Sequence, residues 1–297
     1  MTKIKKIAAT ALAAGLVLFG GISGANATPT LELWIVDTDG VVFSVDSTTG
    51  VATQVGSGNL FNGANGAGKD FTTGTNFVSN DSCDVGTVDV TSGVISATTY
   101  GQMHPATGPG YNECTAMTID GQGNGWASVQ LSDSSYHIVK WDLATGIGTA
   151  LPTATATYMD LLVFNPTTGD LLGQDDNTGT IVSLDTTTGA ETDTTVTTAP
   201  YAYGIVVDGD GNYWANSWDS LYKGATGQWG SATIIGSYVN TSNVNCIFTT
   251  TNYWPAAPAT TPELAKTGGE PNTLALVIGA FAVLGGLAFR FRKPVTN

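Results

Sequence analysis

One turn signature recurs along this chain at a near-constant interval, and the interval limits the folds open to it. Asp46-Ser-Thr-Thr-Gly50, Asp89-Val-Thr-Ser-Gly93, Asp142-Leu-Ala-Thr-Gly146 and Asp185-Thr-Thr-Thr-Gly189 share the frame D-x-x-[ST]-G. Lys223-Gly-Ala-Thr-Gly227 is a degenerate copy, and the five glycines lie 43, 53, 43 and 38 residues apart. Each copy reads as a hairpin. Asp and Thr side chains bond the turn backbone, and Gly supplies a positive φ. The flanks alternate as half-buried strands do, as in Val41-Val-Phe-Ser-Val45 and Val51-Ala-Thr-Gln-Val55.

A second turn keeps the same period. Asp120-Gly-Gln-Gly-Asn-Gly-Trp126 and Asp208-Gly-Asp-Gly-Asn-Tyr-Trp214 share D-G-x-G-N-x-W, 88 residues apart, with Asn165-Pro-Thr-Thr-Gly169 between them. A large apolar residue opens the strand after each such turn: Trp34, Phe77, Trp126, Leu172 and Trp214. Four strands per repeat of about 44 residues is the arithmetic of a propeller blade, so the expected fold is an all-β, five-bladed β-propeller. With strands lettered A to D from the axis outward, blade 3 is predicted as Thr115–Ile119, Gly125–Gln130, His137–Asp142 and Ile147–Leu151. Blade 1 lacks its own strand A, and Cys246–Thr250 has an A pattern without a partner, so the two ends are expected to complete one blade. The alternative is a β-sandwich with irregular strands. The D-G-x-G-N-x-W turn resembles that of secreted bacterial propellers of the NHL, lyase and quinoprotein-like type; it implies a fold and no activity.

The ends of the chain carry an address. Residues 1–27 read as a signal peptide: Lys3, Lys5 and Lys6, an apolar run over Ile7–Gly24, then Ala25-Asn26-Ala27. Residues 28–254 form the ectodomain and 255–263 a Pro/Thr spacer of polyproline character. Residues 264–297 hold Leu264-Ala265-Lys266-Thr267-Gly268, an apolar segment over 273–289, and the basic Arg290, Arg292 and Lys293. Seventeen helical residues span about 25 Å, enough for one short membrane crossing with the basic tail inside. The arrangement resembles a Gram-positive cell-wall sorting signal, with Ala265 where Leu-Pro-x-Thr-Gly has proline. Leu-Ala-x-Thr-Gly looks like the variant read by class E sortases of high-GC Gram-positive bacteria. The resemblance implies cleavage between Thr267 and Gly268, transfer to peptidoglycan, and an extracellular, wall-anchored product with a membrane-bound precursor. A plain membrane anchor is the alternative. The resemblance covers residues 264–293 only.

Charge narrows the partners. The chain holds 10 basic and 24 acidic residues; residues 28–255 keep only Lys69, Lys140 and Lys223 against 22 acids, a net of −19. No basic stripe is present, which excludes a nucleic-acid binder. Two apolar runs are too few for a multi-span transporter.

In a propeller the D→A and B→C connections share one face. There the D→A loops carry His104, Tyr111, Glu113, Tyr158, Asp160, Tyr201 and Tyr203, and the B→C loops carry Asp37, Asp39, Asp81, Asp84, Asp133, Asp175, Asp176, Trp218 and Asp219. Aromatic rings beside carboxylates suit sugar rings and their hydroxyls. The candidate ligand face is Glu113, Tyr158, Asp160, Tyr201, Tyr203, Trp218 and Asp219. Plain polar surface and a catalytic site are the alternatives; a glycosidase pair would be Asp160 with Glu113 or Asp219. Two histidines, His104 and His137, rule out a three-His metal centre. No cofactor or metal is assigned; Ca²⁺ at Asp208-Gly-Asp210 is the alternative to turn chemistry, although the twelve-residue EF-hand ligand set is absent. An exported chain can form a disulfide. Cys83–Cys114 is favoured and Cys114–Cys246 is the rival. The sequence therefore supports a displayed binding or adhesion module for a glycan or protein ligand, with an extracellular enzyme as alternative.

Overall fold

The computed structural model describes residues 30–57, 61–197, 202–238, 241 and 243–254. The signal peptide, the spacer, the sorting pentapeptide and the apolar segment lie outside the described residues.

Five sheets, antiparallel except for one short parallel pair in the third, make up the described chain. Blade 1 begins with β1 (Leu33–Asp37), β2 (Val42–Val45) and β3 (Ala52–Val55). Blade 2 is β4 (Ala64–Lys69), β5 (Asn76–Asn80), β6 (Asp84–Asp89) and β7 (Val94–Gln102). Blade 3 contains β8 (His104–Pro105), β9 (Glu113–Ile119), β10 (Asn124–Gln130), β11 (Tyr136–Asp142) and β12 (Ile147–Thr155). Blade 4 is β13 (Met159–Phe164), β14 (Leu171–Asp175), β15 (Thr180–Leu184) and β16 (Glu191–Thr197). Blade 5 is β17 (Gly204–Val207), β18 (Asn212–Asn216), β19 (Ser220–Ala225) and β20 (Thr233–Ser237). The last strand, β21 (Val244–Thr249), pairs with β1 in the register Leu33↔Thr249 and Val36↔Cys246. It supplies the inner strand of blade 1 and closes the ring, as the sequence pattern requires. The inner strands β21, β4, β9, β13 and β17 stand side by side around one axis.

Burial follows position within the blade. Inner and second strands are buried along most of their length, as in β4, β10 and β14. Neighbouring blades cover both of their faces. The outermost strands, such as β7, are mostly exposed on alternate residues. Trp141, fully buried, stands edge-on to Phe77 at 6.2 Å and to Tyr100 at 6.3 Å and joins blades 2 and 3.

The turn signature has one geometry in four blades. Gly50, Gly93, Gly146 and Gly189 have φ of 72°, 69°, 75° and 80°. Their N–H groups donate to the carbonyls of Asp46, Asp89, Asp142 and Asp185 at 2.7–2.9 Å. The aspartate side chains accept from hydroxyl and amide groups of the same turn, as in Thr48 N to Asp46 Oδ1 at 2.7 Å and Thr188 N to Asp185 Oδ1 at 2.7 Å. These bonds hold all four carboxyls below the usual carboxylate range. The D-G-x-G-N-x-W frame is a clamp. Trp126 Nε1 donates to Asp120 Oδ2 and Trp214 Nε1 to Asp208 Oδ2, both at 3.0 Å. Lys140 and Lys223 lie over those indoles at 5.3 and 4.5 Å.

Four details differ from the sequence expectation. Blade 3 has a fifth strand: β8 pairs in parallel with the start of β12, so His104 lies at an outer edge and not on the ligand face. Tyr111 is buried in the blade 3 core, where burial pushes its phenol up to about 12. Asp70-Phe-Thr-Thr-Gly74 is a further copy of the turn signature, joining β4 to β5. The outer strand of blade 3 also runs on to Thr155, past the expected Leu151.

Two glycines separate the strain of a positive φ from the crowding between blades. A Cβ on Gly74 (φ 80°) would meet nothing within 4 Å, whereas one on Gly93 would lie 1.7 Å from the Val55 carbonyl oxygen. Gly74→Ala is expected to cost about 1 kcal/mol. Gly93→Ala, which must also push blade 1 away from blade 2, should cost clearly more. Urea denaturation of the two variants tests the difference.

Candidate functional site

The inner strands begin with a shared irregularity. Their pairing with the second strand skips one residue between Ala64 and Gly66, Cys114 and Ala116, Met159 and Leu161, and Val244 and Cys246. The bulged residues are Asn65, Thr115, Asp160 and Asn245. A bulge leaves one residue unpaired and re-aims its side chain. Blade 5 reaches the same level with Tyr203, just before β17, whose N–H donates to the Asn216 carbonyl at 2.9 Å. All five residues, one per blade, line a cavity of about 230 Å³ at the mouth of the axis, with Asp81, Glu113 and Tyr158 completing its wall.

Side chains from adjacent blades satisfy the backbone that the bulges release. Thr115 Oγ1 donates to the Met159 carbonyl at 2.9 Å, and Met159 N–H donates to Ser128 Oγ at 3.1 Å. Asn216 Nδ2 donates to the Val244 carbonyl at 2.8 Å. Asn65 Nδ2 donates to the Cys114 carbonyl and, at 2.7 Å, to Asp81 Oδ1, while Ser79 Oγ donates to Asn65 Oδ1 at 3.2 Å. The mouth is thus held by bonds between blades. A disulfide between Cys83 and Cys114 ties the Asp81 loop to the strand that carries Glu113 and Thr115. Cys246 is a free, buried thiol whose pKa burial raises to about 12.

Asp160 is the electrostatic centre of the mouth. Its Oδ2 is shielded from solvent and meets no N–H or O–H donor among the described residues. Burial first, then a hydrogen bond shared with Asp176 and the charges of Asp176 and Asp175, raise the Asp160 carboxyl to about 7. The Tyr158 hydroxyl also bonds Asp176; burial and that bond raise its pKa. Tyr158 stands 5.6 Å from Tyr136, and Tyr203 stands 5.5 Å from Trp218, whose indole bonds its hydroxyl. Trp218 is half exposed, at 50 %.

The structure brings Glu113, Tyr158, Asp160 and Tyr203 together in one cavity and sets Trp218 against Tyr203. Asp219 stands apart: its Oδ1 accepts from Ser217 and Ser220 hydroxyls at 3.3 and 2.9 Å. Asp160 therefore pairs with Asp176, and Asp219 is not its partner. Tyr201 lies outside the described residues. Asn65, Thr115 and Asn245 escaped the sequence reading because they sit inside strands; only the register makes them axial. The Asp208 carboxylate takes Asp210 N–H, Asn212 N–H, the Asn212 amide and the Trp214 indole, which is turn chemistry. Below the mouth the axis narrows to about 10 Å³ of free space among Gly66, Met117, Leu161 and Ile247. A space of about 410 Å³ at the seam of blades 1 and 5 is larger, but its Asp208, Trp214 and Lys223 belong to the turn clamp.

The sequence matches no protein-family model and no curated protein. The structure is similar to a chain of the nidogen–laminin complex, with a TM-score of 0.53 at 12 % identity, covering 76 % of this chain and 100 % of that one. It is also similar to a gluconolactonase from Xanthomonas campestris, with a TM-score of 0.50 at 14 % identity, covering 68 % of this chain and 71 % of that one. At such identities the likeness establishes the β-propeller fold alone.

Two outcomes follow from this geometry. A carboxyl raised by burial favours the folded state while protonated, and that advantage is lost as pH rises toward 7. Asp160→Asn should therefore gain in Tm relative to the parent as pH rises from about 5 to 8, read by thermal unfolding at several pH values. Replacing Cys83 and Cys114 by serine, which frees a loop of sequence separation 31, should cost about 3 kcal/mol in urea.

Proposed function

We propose that the protein is a surface-displayed binding module whose ligand sits in the mouth of the propeller. Under this reading the signal peptide 1–27 exports the chain, a class E-like sortase joins it to peptidoglycan through Leu264–Gly268, and the spacer 255–263 holds it clear of the wall. The ligand is a unit of an extracellular glycan. One observation carries the reading: side chains from all five blades converge on a cavity of about 230 Å³ with carboxylate, amide and hydroxyl groups beside the Tyr158 and Tyr203 rings. Sugar units need an apolar face to stack on and polar groups for their hydroxyls.

A second reading is an extracellular hydrolase. Asp160, whose carboxyl burial and the neighbouring Asp176 raise to about 7, has the character of a general acid. The fold is compatible with both readings, since one structural neighbour is a gluconolactonase and the other belongs to a protein–protein complex.

A panel of glycans and wall polysaccharides, titrated against the full-length protein and then examined by mass spectrometry, separates the two. Saturable binding of an intact ligand, weakened tenfold or more by Tyr203→Ala, is the expected outcome. A cleaved ligand, with cleavage lost in Asp160→Asn, would replace the binding reading with the hydrolase.

A further inference from the structure

The mouth has an unbalanced charge. Asp81, Glu113 and Asp160 reach it from blades 2, 3 and 4, and among the described residues no lysine, arginine or histidine lines it. The propeller's three lysines are engaged elsewhere: Lys69 lies over Phe71 at 5.7 Å, Lys140 over Trp126 and Lys223 over Trp214. A neutral ligand would leave the carboxylates facing one another across a small space, at a cost that falls only if one of them holds a proton. A cation removes that cost directly. The wall also offers Tyr158 and Tyr203, and aromatic faces together with carboxylates are the groups that receive an organic ammonium ion. A bare metal ion is served less well. The Asn65 amide turns its Nδ2 donor toward Asp81, and the Asn65 Oδ1 acceptor is already bonded by Ser79.

We propose that the mouth recognises a protonated amine, whose ammonium group enters among Asp81, Glu113 and Asp160. The inference rests on the reading of the mouth as a binding site and names the charge of its ligand. The exchange balances: the ammonium ion enters, a proton leaves for solvent where the pH is low enough for Asp160 to hold one, and no covalent bond changes. The groups that face Asp160 fix its direction. Asp175 ends β14 and Asp176 follows it in the loop to β15, Tyr158 precedes β13 with Tyr136 of β11 behind it, Glu113 opens β9, and Tyr203 precedes β17. Apart from the tyrosines every one is an acid, so deprotonation of the pair strengthens a field that already favours a cation.

Isothermal titration of the full-length protein with matched probes tests this. Cadaverine is compared with 1,5-pentanediol, glucosamine with N-acetylglucosamine, and calcium chloride is run alone, at pH 5.5 and pH 8. The expected result is binding of the amine in each pair at pH 8, at least about tenfold weaker at pH 5.5, since one linked proton changes affinity by up to tenfold per pH unit. Heats that depend on the buffer's ionisation enthalpy should report proton release, and Asp160→Asn should abolish the pH dependence. Equal binding of the neutral partners would overturn the inference and leave the binding module standing. Calcium binding that amines cannot displace would overturn it in favour of a metal site. Failure of all probes, while a neutral polysaccharide binds, would overturn the inference alone. Failure of both experiments would remove the binding module as well.

Discussion

Five inner strands meet around an axis so tight that Gly66 and Gly204 leave no room for a side chain, and the other features of the propeller adjust to that crowding. A Cβ on Gly66 would lie 2.4 Å from the Met117 backbone nitrogen, and one on Gly204 would lie 2.8 Å from that of Ile247. The strands can approach this closely only where no side chain intervenes, and the axis there is sealed. Space for a ligand reopens where the strands part. The bulges at Asn65, Thr115, Asp160 and Asn245 occur at that point, above the seal, and turn one side chain per strand toward the opening. The crowding therefore sets both where a ligand can sit and which positions meet it.

This explains why the blade plan could be read in the sequence and the site only in part. A D-x-x-[ST]-G turn is built from bonds within five residues, so each copy announces itself, and the copies fix blade number and length. The closing strand was legible for the same reason, because Cys246–Thr250 repeats an inner-strand pattern with no neighbour of its own. The mouth depends on register instead. Glu113, Tyr158, Asp160 and Tyr203 stood out as polar or aromatic residues beside loops. Asn65, Thr115 and Asn245 are ordinary strand residues until a one-residue slip turns them inward. The partner of Asp160 was obscured in another way. Asp176 and Asp219 occupy equivalent loops of successive blades, and only the fold shows that the first reaches Asp160 while the second is bonded by Ser217 and Ser220.

The same residue type does opposite work at the two ends of the axis. In the C–D turns, aspartates are exposed and accept several bonds from their own turn, and their carboxyls ionise more readily than usual. At the mouth, Asp160 is buried beside other acids and holds its proton to about 7. An acidic composition alone would suggest a uniformly solvated surface. The structure divides it into carboxylates that staple turns and a smaller set kept short of donors. The second set is where added positive charge stabilises most.

The far end of the axis is covered by the chain itself. After β21 the chain crosses the inner-strand termini. The Tyr253 ring lies against Gly209 of blade 5, and the Trp254 ring lies against Gly121 of blade 3 and 5.9 Å from Phe164 of blade 4. The segment so closes the end opposite the mouth, beside a residual space of only about 60 Å³. Inner strands that all run the same way make this unavoidable, because they begin at the mouth and the last of them ends at the far side. Closing the ring with the last strand, rather than the first, is what puts the chain's exit and the cavity on opposite faces.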